Sequence, residues 1–573
     1  MNGSDTTAEP LCEVRPASAP SRAHLLIAVA VLLIAAVAAY WNSFQGALVF
    51  EDALAIQANT SIRHLGNLGA VLSPPAGGPT AGQPLVNLTL ALNYAIGGAD
   101  RLWSYHAVNL IIHLLAALTL MGVVRRTLLT APLVKHLGRA ALPLATATAL
   151  LWMLHPVQTE AVTYITQRSE SLVGLLYLLT LYCAIRGASS PRPMGWDVLA
   201  VLACAAGMAT KTVSVTAPLA VLVYDRLFLA GGWRKALARR WPLYLGLVAT
   251  WAIAAALAMS TPRPDNLPGA GQYAATQASV VVQYLTLAVW PVSQSSDYVW
   301  PWAQQAAQVA PPALIVAILL AVTLWGLWTG RAAAMAGVWF FLVLAPTSSI
   351  VPMADPIFEH RLYLSLAGMA ALAVVGAYAL VASLAQGKPL PGAVSLTGRL
   401  VGALIVVAVA ATLGWMTHQR NKVYRSPIDF WEAAATAQKL NDEVSYRTED
   451  RLGNALIEAG RVNEGLGHLL NALRVKSDLW QTPYRYACVL MAADRHAEAI
   501  GSLRQVARLR GDWAEPYRLL GMCYDRLGSV TPAIESYQQA LSRDPGNADL
   551  QADLQRAKSK LGTRPTSSQA SQP

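Results

Sequence analysis

A chain of 573 residues that is 54% hydrophobic and only 13% charged has the composition of a polytopic membrane protein, which excludes an ordinary soluble one. The formal charge of +11 would suit a nucleic-acid binder, but its distribution does not. The part after Met416 balances 21 Lys and Arg against 18 Asp and Glu, and 16 of the other basic residues fall in short loops on one predicted side of the membrane against 6 on the other.

In chain order, residues 1–24 are a polar tail, read as cytoplasmic, and 25–44 form the first apolar run, closing on Tyr40 and Trp41. Its length matches the roughly 20 residues a membrane helix needs, and no convincing cleavage site follows, so it reads as a retained anchor. Further spans are predicted at 105–124, 141–154, 171–185, 196–209, 213–229, 241–260, 312–328, 333–350, 362–384 and 400–416. The clusters at Arg125-Arg126, Arg186 and Arg234-Lys235 fall on one side if the N-terminus is cytoplasmic. To keep Arg331, Lys388 and Arg399 on that side, the run at 278–291, which holds Gln283 and stops at Trp290-Pro291, is assigned as re-entrant. The expectation is an all-α membrane domain over 25–416 with about eleven spans and one re-entrant segment.

The remainder is soluble in composition. After a linker at 417–450, Gly453, Ala487 and Gly521 recur every 34 residues, each followed twelve residues later by Gly465, Ala499 or Ala533. Small residues at both points let paired helices approach, Leu469, Leu503 and Tyr537 supply bulk, and Pro545 ends the last pair. Period and pattern identify tetratricopeptide repeats over 451–561, an α-solenoid with a capping helix, before a disordered tail at 562–573. Cys183 and Cys204 lie in apolar runs, Cys488 and Cys523 in different repeats, and no cysteine has metal or redox spacing.

The candidate chemistry lies in loops predicted to share one membrane face. Glu51 and Asp52 sit where the first span ends, a costly place for two carboxylates. His155 and Glu160, then Arg168, follow the third span; Lys211 ends an apolar run; Glu359, His360, Arg361 and Tyr363 precede a late span. A carboxylate can take a proton from an acceptor hydroxyl, and Lys211 and Arg361 can hold a phosphate, the latter with a bidentate fork. The same residues have structural readings: His155 as a helix cap, Arg361 and Lys211 as snorkelling anchors, Glu359 as the ion-pair partner of Arg361. His106 and His113 share one helix face with Asn109 and read as packed polar groups; they lack a third ligand, so no metal is assigned.

These residues resemble the transmembrane O-mannosyltransferases that carry tetratricopeptide repeats, and their bacterial relatives, within the type C glycosyltransferases. The matching pieces are FEDALAI at 50–56, LNYAIGG at 92–98, YHAVNLIIH at 105–113, HPVQTEAVTYITQRSE at 155–170 and EHRLYLSLAG at 359–368. The resemblance implies inverting transfer of mannose or another hexose from a polyprenyl-phosphate donor to an acceptor protein outside the cytoplasm, with the repeats holding that acceptor. It implies that Glu51 or Asp52 is the base, that Arg361, Lys211, His360 and Arg168 serve the donor phosphate, and that His155, Glu160, Glu359, Tyr363 and His106 support them. No cofactor is required, because the leaving group is already a phosphate. The chain departs from the family where Arg-Pro is usual, with Gln83-Pro84, and where Lys-Glu is usual, with Lys211-Thr212. Those two losses leave open a competent enzyme that has lost a charge pair together, a changed donor, and a non-catalytic assembly factor of a bacterial plasma membrane. A glycolipid or polysaccharide acceptor is the other alternative.

Overall fold

The computed structural model describes residues 21–262, 267–386, 396–440 and 444–562. Of the tails expected at 1–24 and 562–573, residues 1–20 and 563–573 lie outside them, as do Cys12 and Lys388. Among the described residues every regular element is a helix.

Among the described residues, eight helices are long and apolar enough to cross a membrane: they include Arg22–Gln45, Leu102–Leu128, Arg168–Ala188, Glu359–Leu384 and Leu396–Tyr424. A ninth candidate is a pair, Ala131–Met153 and Pro156–Thr163, bent by 56°. Pro156 makes that break, since its ring cannot continue the preceding helix and fits only the first position of the next turn. Two shorter apolar helices, Pro193–Met208 and Ala334–Leu344, occupy two more of the expected spans. The protein is a multi-pass membrane protein. The run expected to be re-entrant lies within one continuous helix, Ala270–Val289, since nothing in it breaks a helix before Pro291, and this helix is not among the eight.

The chain divides into two compact units at Phe430/Trp431, beyond the membrane-domain boundary expected at 416. In the first unit, the long segment after the first span has its own small core of Ala55, Ile56, Ile62, Val71, Val86, Leu90 and Tyr105. Buried Asn87 ties it together: its amide donates to the Val71 carbonyl at 2.7 Å and its oxygen accepts from Asn59 at 2.9 Å. This segment is therefore a packed shelf, stabilised by satisfied buried amides.

In the second unit three antiparallel helix pairs follow the 34-residue period: Tyr446–Glu458 with Val462–Val475, Gln481–Ala492 with His496–Leu509, and Ala514–Arg526 with Val530–Arg543. Helix Ala548–Gly562 closes the row. A Cβ at Gly453 would stand 2.9 Å from the Gly465 carbonyl oxygen, and one at Gly521 would stand 2.6 Å from the Tyr537 ring. Small residues are thus required where the sequence pattern places them. Cys183, Cys204, Cys488 and Cys523 are all free thiols.

Candidate functional site

The site is a set of short turns joined to the ends of long helices. Helix Arg22–Tyr40 ends in a turn at Trp41–Gln45, and the chain then reaches the short helix Asp52–Ile56. Phe50 adopts φ 49° there, a left-handed conformation that a bulky residue rarely takes. The two acids separate at this turn. Asp52 is fully buried: its Oδ1 accepts from the Thr166 backbone N at 2.8 Å and the Thr166 hydroxyl at 2.5 Å, and its Oδ2 accepts from Val49 N at 3.1 Å. Burial pushes its carboxyl up to about 7, against the pull of those donors. Glu51 is partly exposed, and its backbone N donates to the Tyr164 hydroxyl at 3.0 Å. Of the pair, Asp52 fastens the turn to the 164–167 segment and Glu51 is only partly buried.

The next layer is a relay of charged groups from four segments. His360, in the turn Glu359–Arg361, meets Glu160 twice: its backbone N donates to Oε2 and its Nδ1 stands at Oε1, both at 2.9 Å. Its Nε2 lies 3.8 Å from Glu170 Oε1, and Lys211 Nζ lies 2.9 Å from that same oxygen. Lys211 Nζ also donates to the Ser169 hydroxyl at 3.3 Å. Glu160, His360, Glu170 and Lys211 therefore form one line, although 200 residues separate its first pair.

Glu359 points elsewhere. Its Oε1 accepts from Ser295 N and the Tyr298 hydroxyl, both at 2.8 Å, and its Oε2 from Gln294 at 2.7 Å. Its charged neighbour is Arg420, with Nη2 at 3.6 Å, and not Arg361. Arg361 donates to the carbonyls of Pro356 at 2.8 Å and Asp355 at 2.9 Å and lies over the Phe358 ring. Local carbonyls outcompete Glu359 because the turn presents them to a guanidinium only a few residues away.

Other expected site residues hold the frame. Arg168 is fully buried and spends its guanidinium on Asn109 and Asn93, at 2.6 Å each, and on the Tyr105 carbonyl at 3.0 Å. It clamps three segments together and offers a phosphate no outward-facing donor. His155 caps the turn at Pro156, its Nδ1 accepting from Val157 N at 3.3 Å. His106 meets the Gly46 carbonyl at 3.2 Å, and Tyr363 meets His113 Nδ1 at 2.8 Å. Gly174 makes room for that tyrosine, since a Cβ there would stand 2.5 Å from its ring. The histidines of helix Leu102–Leu128 are thus packed polar groups, and among the described residues no cluster of His, Cys, Asp and Glu is arranged to hold a metal ion.

The two departures at Gln83 and Thr212 fall on adjoining segments, since Leu85 N donates to the Ala209 carbonyl at 3.1 Å. An apolar cavity of about 310 Å³, lined by Leu120, Leu178, Tyr224, Trp339 and Val375 among others, reaches the far half of helix Leu102–Leu128. Its walls carry no group suited to the chemistry above, so the site is located by its charged residues. Arg420 and Gln294 escaped the sequence reading. The only signal for Arg420 was its place just past an apolar run, beside Lys422 and Arg425, and such cations ordinarily snorkel.

No protein-family model matches the chain. A protein O-mannosyl-transferase, Tmtc2 of Drosophila melanogaster, is 30% identical over 200 residues, which is 32% of this chain and 20% of that protein. The Homo sapiens protein O-mannosyl-transferase TMTC1 is 31% identical over 264 residues, 42% of this chain and 27% of that protein. The chain thus spans 20% to 27% of the length of these curated relatives. Among solved structures, ArnT from Cupriavidus metallidurans in the apo state overlaps 73% of this chain and 78% of its own, with 16% identity and a TM-score of 0.42, too loose to carry an argument. In sequence, the chain is similar to the protein O-mannosyl-transferases.

Proposed function

We propose that this protein is a membrane glycosyltransferase of the type C class, moving a sugar from a polyprenyl-phosphate donor to a hydroxyl on an acceptor protein. The observation that carries this reading is the convergence of Glu51, the line from Glu160 to Lys211, and the pair Glu359 and Arg420 on neighbouring turns of a multi-pass protein. A partly exposed carboxylate beside a field of cations and carboxylates suits transfer from an anionic lipid. The likeness to protein O-mannosyl-transferases supports mannose as the first donor to try and a protein as the acceptor.

In this mechanism Glu51 is the base, because Asp52 has its oxygens occupied by three donors and no surface of its own. Glu51 accepts the proton of the acceptor hydroxyl, and the oxygen forms a bond to the anomeric carbon. The bond from that carbon to the phosphate oxygen breaks, and its electron pair leaves with the lipid phosphate. Cations near the phosphate stabilise the charge that develops. The reaction faces away from the cytoplasm of a bacterial inner membrane, on the side opposite the basic loops, and the repeats recruit the acceptor.

The test is transfer in membranes from radiolabelled polyprenyl-phosphate mannose, with the glucose donor in parallel. Wild type transfers one of the two sugars, and Glu51→Gln, with normal protein level, loses transfer by about 100-fold or more, within the range that acid–base groups supply. Wild-type transfer by Glu51→Gln removes that acid from the mechanism. A wild type inert with both donors overturns the enzyme reading in favour of a docking protein.

A further inference from the structure

We infer that Arg420 is the residue that grips the phosphate of the lipid-linked donor, a role that rests on the proposed function and assigns its anion site. Among the described residues, the cations around the cluster differ in what their donors already do. Arg168 is spent on Asn109, Asn93 and a carbonyl, and Arg361 on the carbonyls of Asp355 and Pro356. Lys211 is held by Glu170 and Ser169. Arg420 is the exception: its Nε and Nη2 are buried and have no hydrogen-bond acceptor among the described residues.

A counter-ion role for Glu359 does not account for this. The contact between them is 3.6 Å, too long for a hydrogen bond, and Glu359 already accepts from Gln294, Ser295 and Tyr298. A buried guanidinium placed only to neutralise a carboxylate closes to a bidentate pair near 2.8 Å, as charge-assisted hydrogen bonds do. Nε and Nη2 are the edge of the guanidinium that matches two oxygens of a phosphate. Leaving them unmade is costly in a buried place, so the arrangement is explained by an anion that completes them.

Arg420 is also held rigidly. It lies in the last turn of helix Leu396–Asn421, where the helix dipole favours a cation. Thr417 donates to the Leu154 carbonyl at 2.7 Å, and Asn421 donates to Ala39 and to Asn42 at 3.0 Å each. The hydroxyl of Thr163 donates to Asn421 Oδ1 at 2.7 Å. These bonds flank the arginine and fix its register before any ligand arrives, which lowers the cost of binding. When the bond to the sugar breaks, the phosphate gains a negative charge beside this guanidinium.

The test uses the full chain in nanodiscs with three probes: a polyprenyl monophosphate, the matching polyprenol, and inorganic phosphate. Wild type is expected to prefer the lipid phosphate over the polyprenol by about 10- to 100-fold, the worth of one or two charge-assisted hydrogen bonds. Arg420→Gln brings the two lipids to near equality, and Arg420→Lys, which keeps the charge but loses the fork, lies between. If Arg420→Gln fails to fold, Arg420→Lys carries the test alone, and an undiminished preference in it overturns the assignment. A full preference in a folded Arg420→Gln does the same while leaving the proposed function standing. No preference in wild type defeats the donor reading itself. Displacement by inorganic phosphate at equal concentration would make this a site for free phosphate and overturn the lipid-borne one.

Discussion

Two arginines in the membrane unit, Arg240 buried and Arg420 nearly so, show how differently one side chain can be used. Arg240 sits at a kink in helix Trp233–Ala249 and faces Asp225, with Nη1 at 3.0 Å from both carboxylate oxygens. Its Nη2 donates to Asp197 and to the Ala184 carbonyl, both at 2.8 Å, and the Tyr244 hydroxyl donates to Asp225 at 2.5 Å. Charge and hydrogen bonds close on themselves there, and the cluster staples four helices together. Arg420 stands 3.6 Å from its acid, with two buried donor atoms unmet among the described residues. A buried ion pair that is satisfied holds a fold, while one left incomplete keeps capacity for something that comes and goes.

The sharpest way to break this comparison is to damage the saturated cluster. Arg240→Met leaves Asp225 buried beside Asp197 with no cation, which costs about 3–5 kcal/mol for a broken buried pair. The expected result is a large fall in the thermal midpoint in detergent, with the preference for lipid phosphate intact in whatever protein remains folded. A normal midpoint would mean that satisfaction is no guide to structural weight in this molecule. Lys211→Met sharpens the other side. Its side chain is 19% exposed but Glu170 is buried, so losing the cation leaves a buried carboxylate and costs about 1–3 kcal/mol. The midpoint should fall less than in Arg240→Met while transfer falls by about tenfold, the scale of one charge-assisted contact in the reacting complex. A loss of stability without loss of transfer would return Lys211 to the role of an anchor.

Legibility from sequence follows the same line. Apolar runs and basic loops revealed most of the membrane helices, because length and hydropathy are local properties, and the 34-residue period revealed the repeats for the same reason. A charge-counting rule about sides assigns 278–291, whereas its helical continuity within Ala270–Val289 follows from the absence of any breaker. The motifs single out Glu160, His360 and Lys211, which the structure joins through Glu170, yet partners could not be read. Glu359 meets Arg420, 61 positions away, and Arg361 beside it turns to carbonyls. What separates Asp52 from Glu51 is Thr166, 114 positions along the chain, which donates to the Asp52 carboxylate. Those distances, and not the residue types, are what pattern cannot supply.

Asp52 is the smallest and most direct measurement, and it lies between the two arginines in kind. Its oxygens are satisfied by Val49 and Thr166, but burial without a cation in hydrogen-bond reach still raises its carboxyl to about 7 from an ordinary 3.8. The sign follows from proton binding: between those two values the folded protein holds a proton that the unfolded chain releases. Stability therefore declines as pH rises from about 4 through 7 and is flat above that. Asp52→Asn removes this slope, so its thermal midpoint relative to wild type should improve as pH is raised from 5 to about 7 and level off above that. A parallel pair of curves would mean that the three donors outweigh burial and hold the carboxylate charged throughout. In that case Asp52 would already be anionic at pH 5, and a pH dependence of transfer near 7 would have to come from elsewhere in the site.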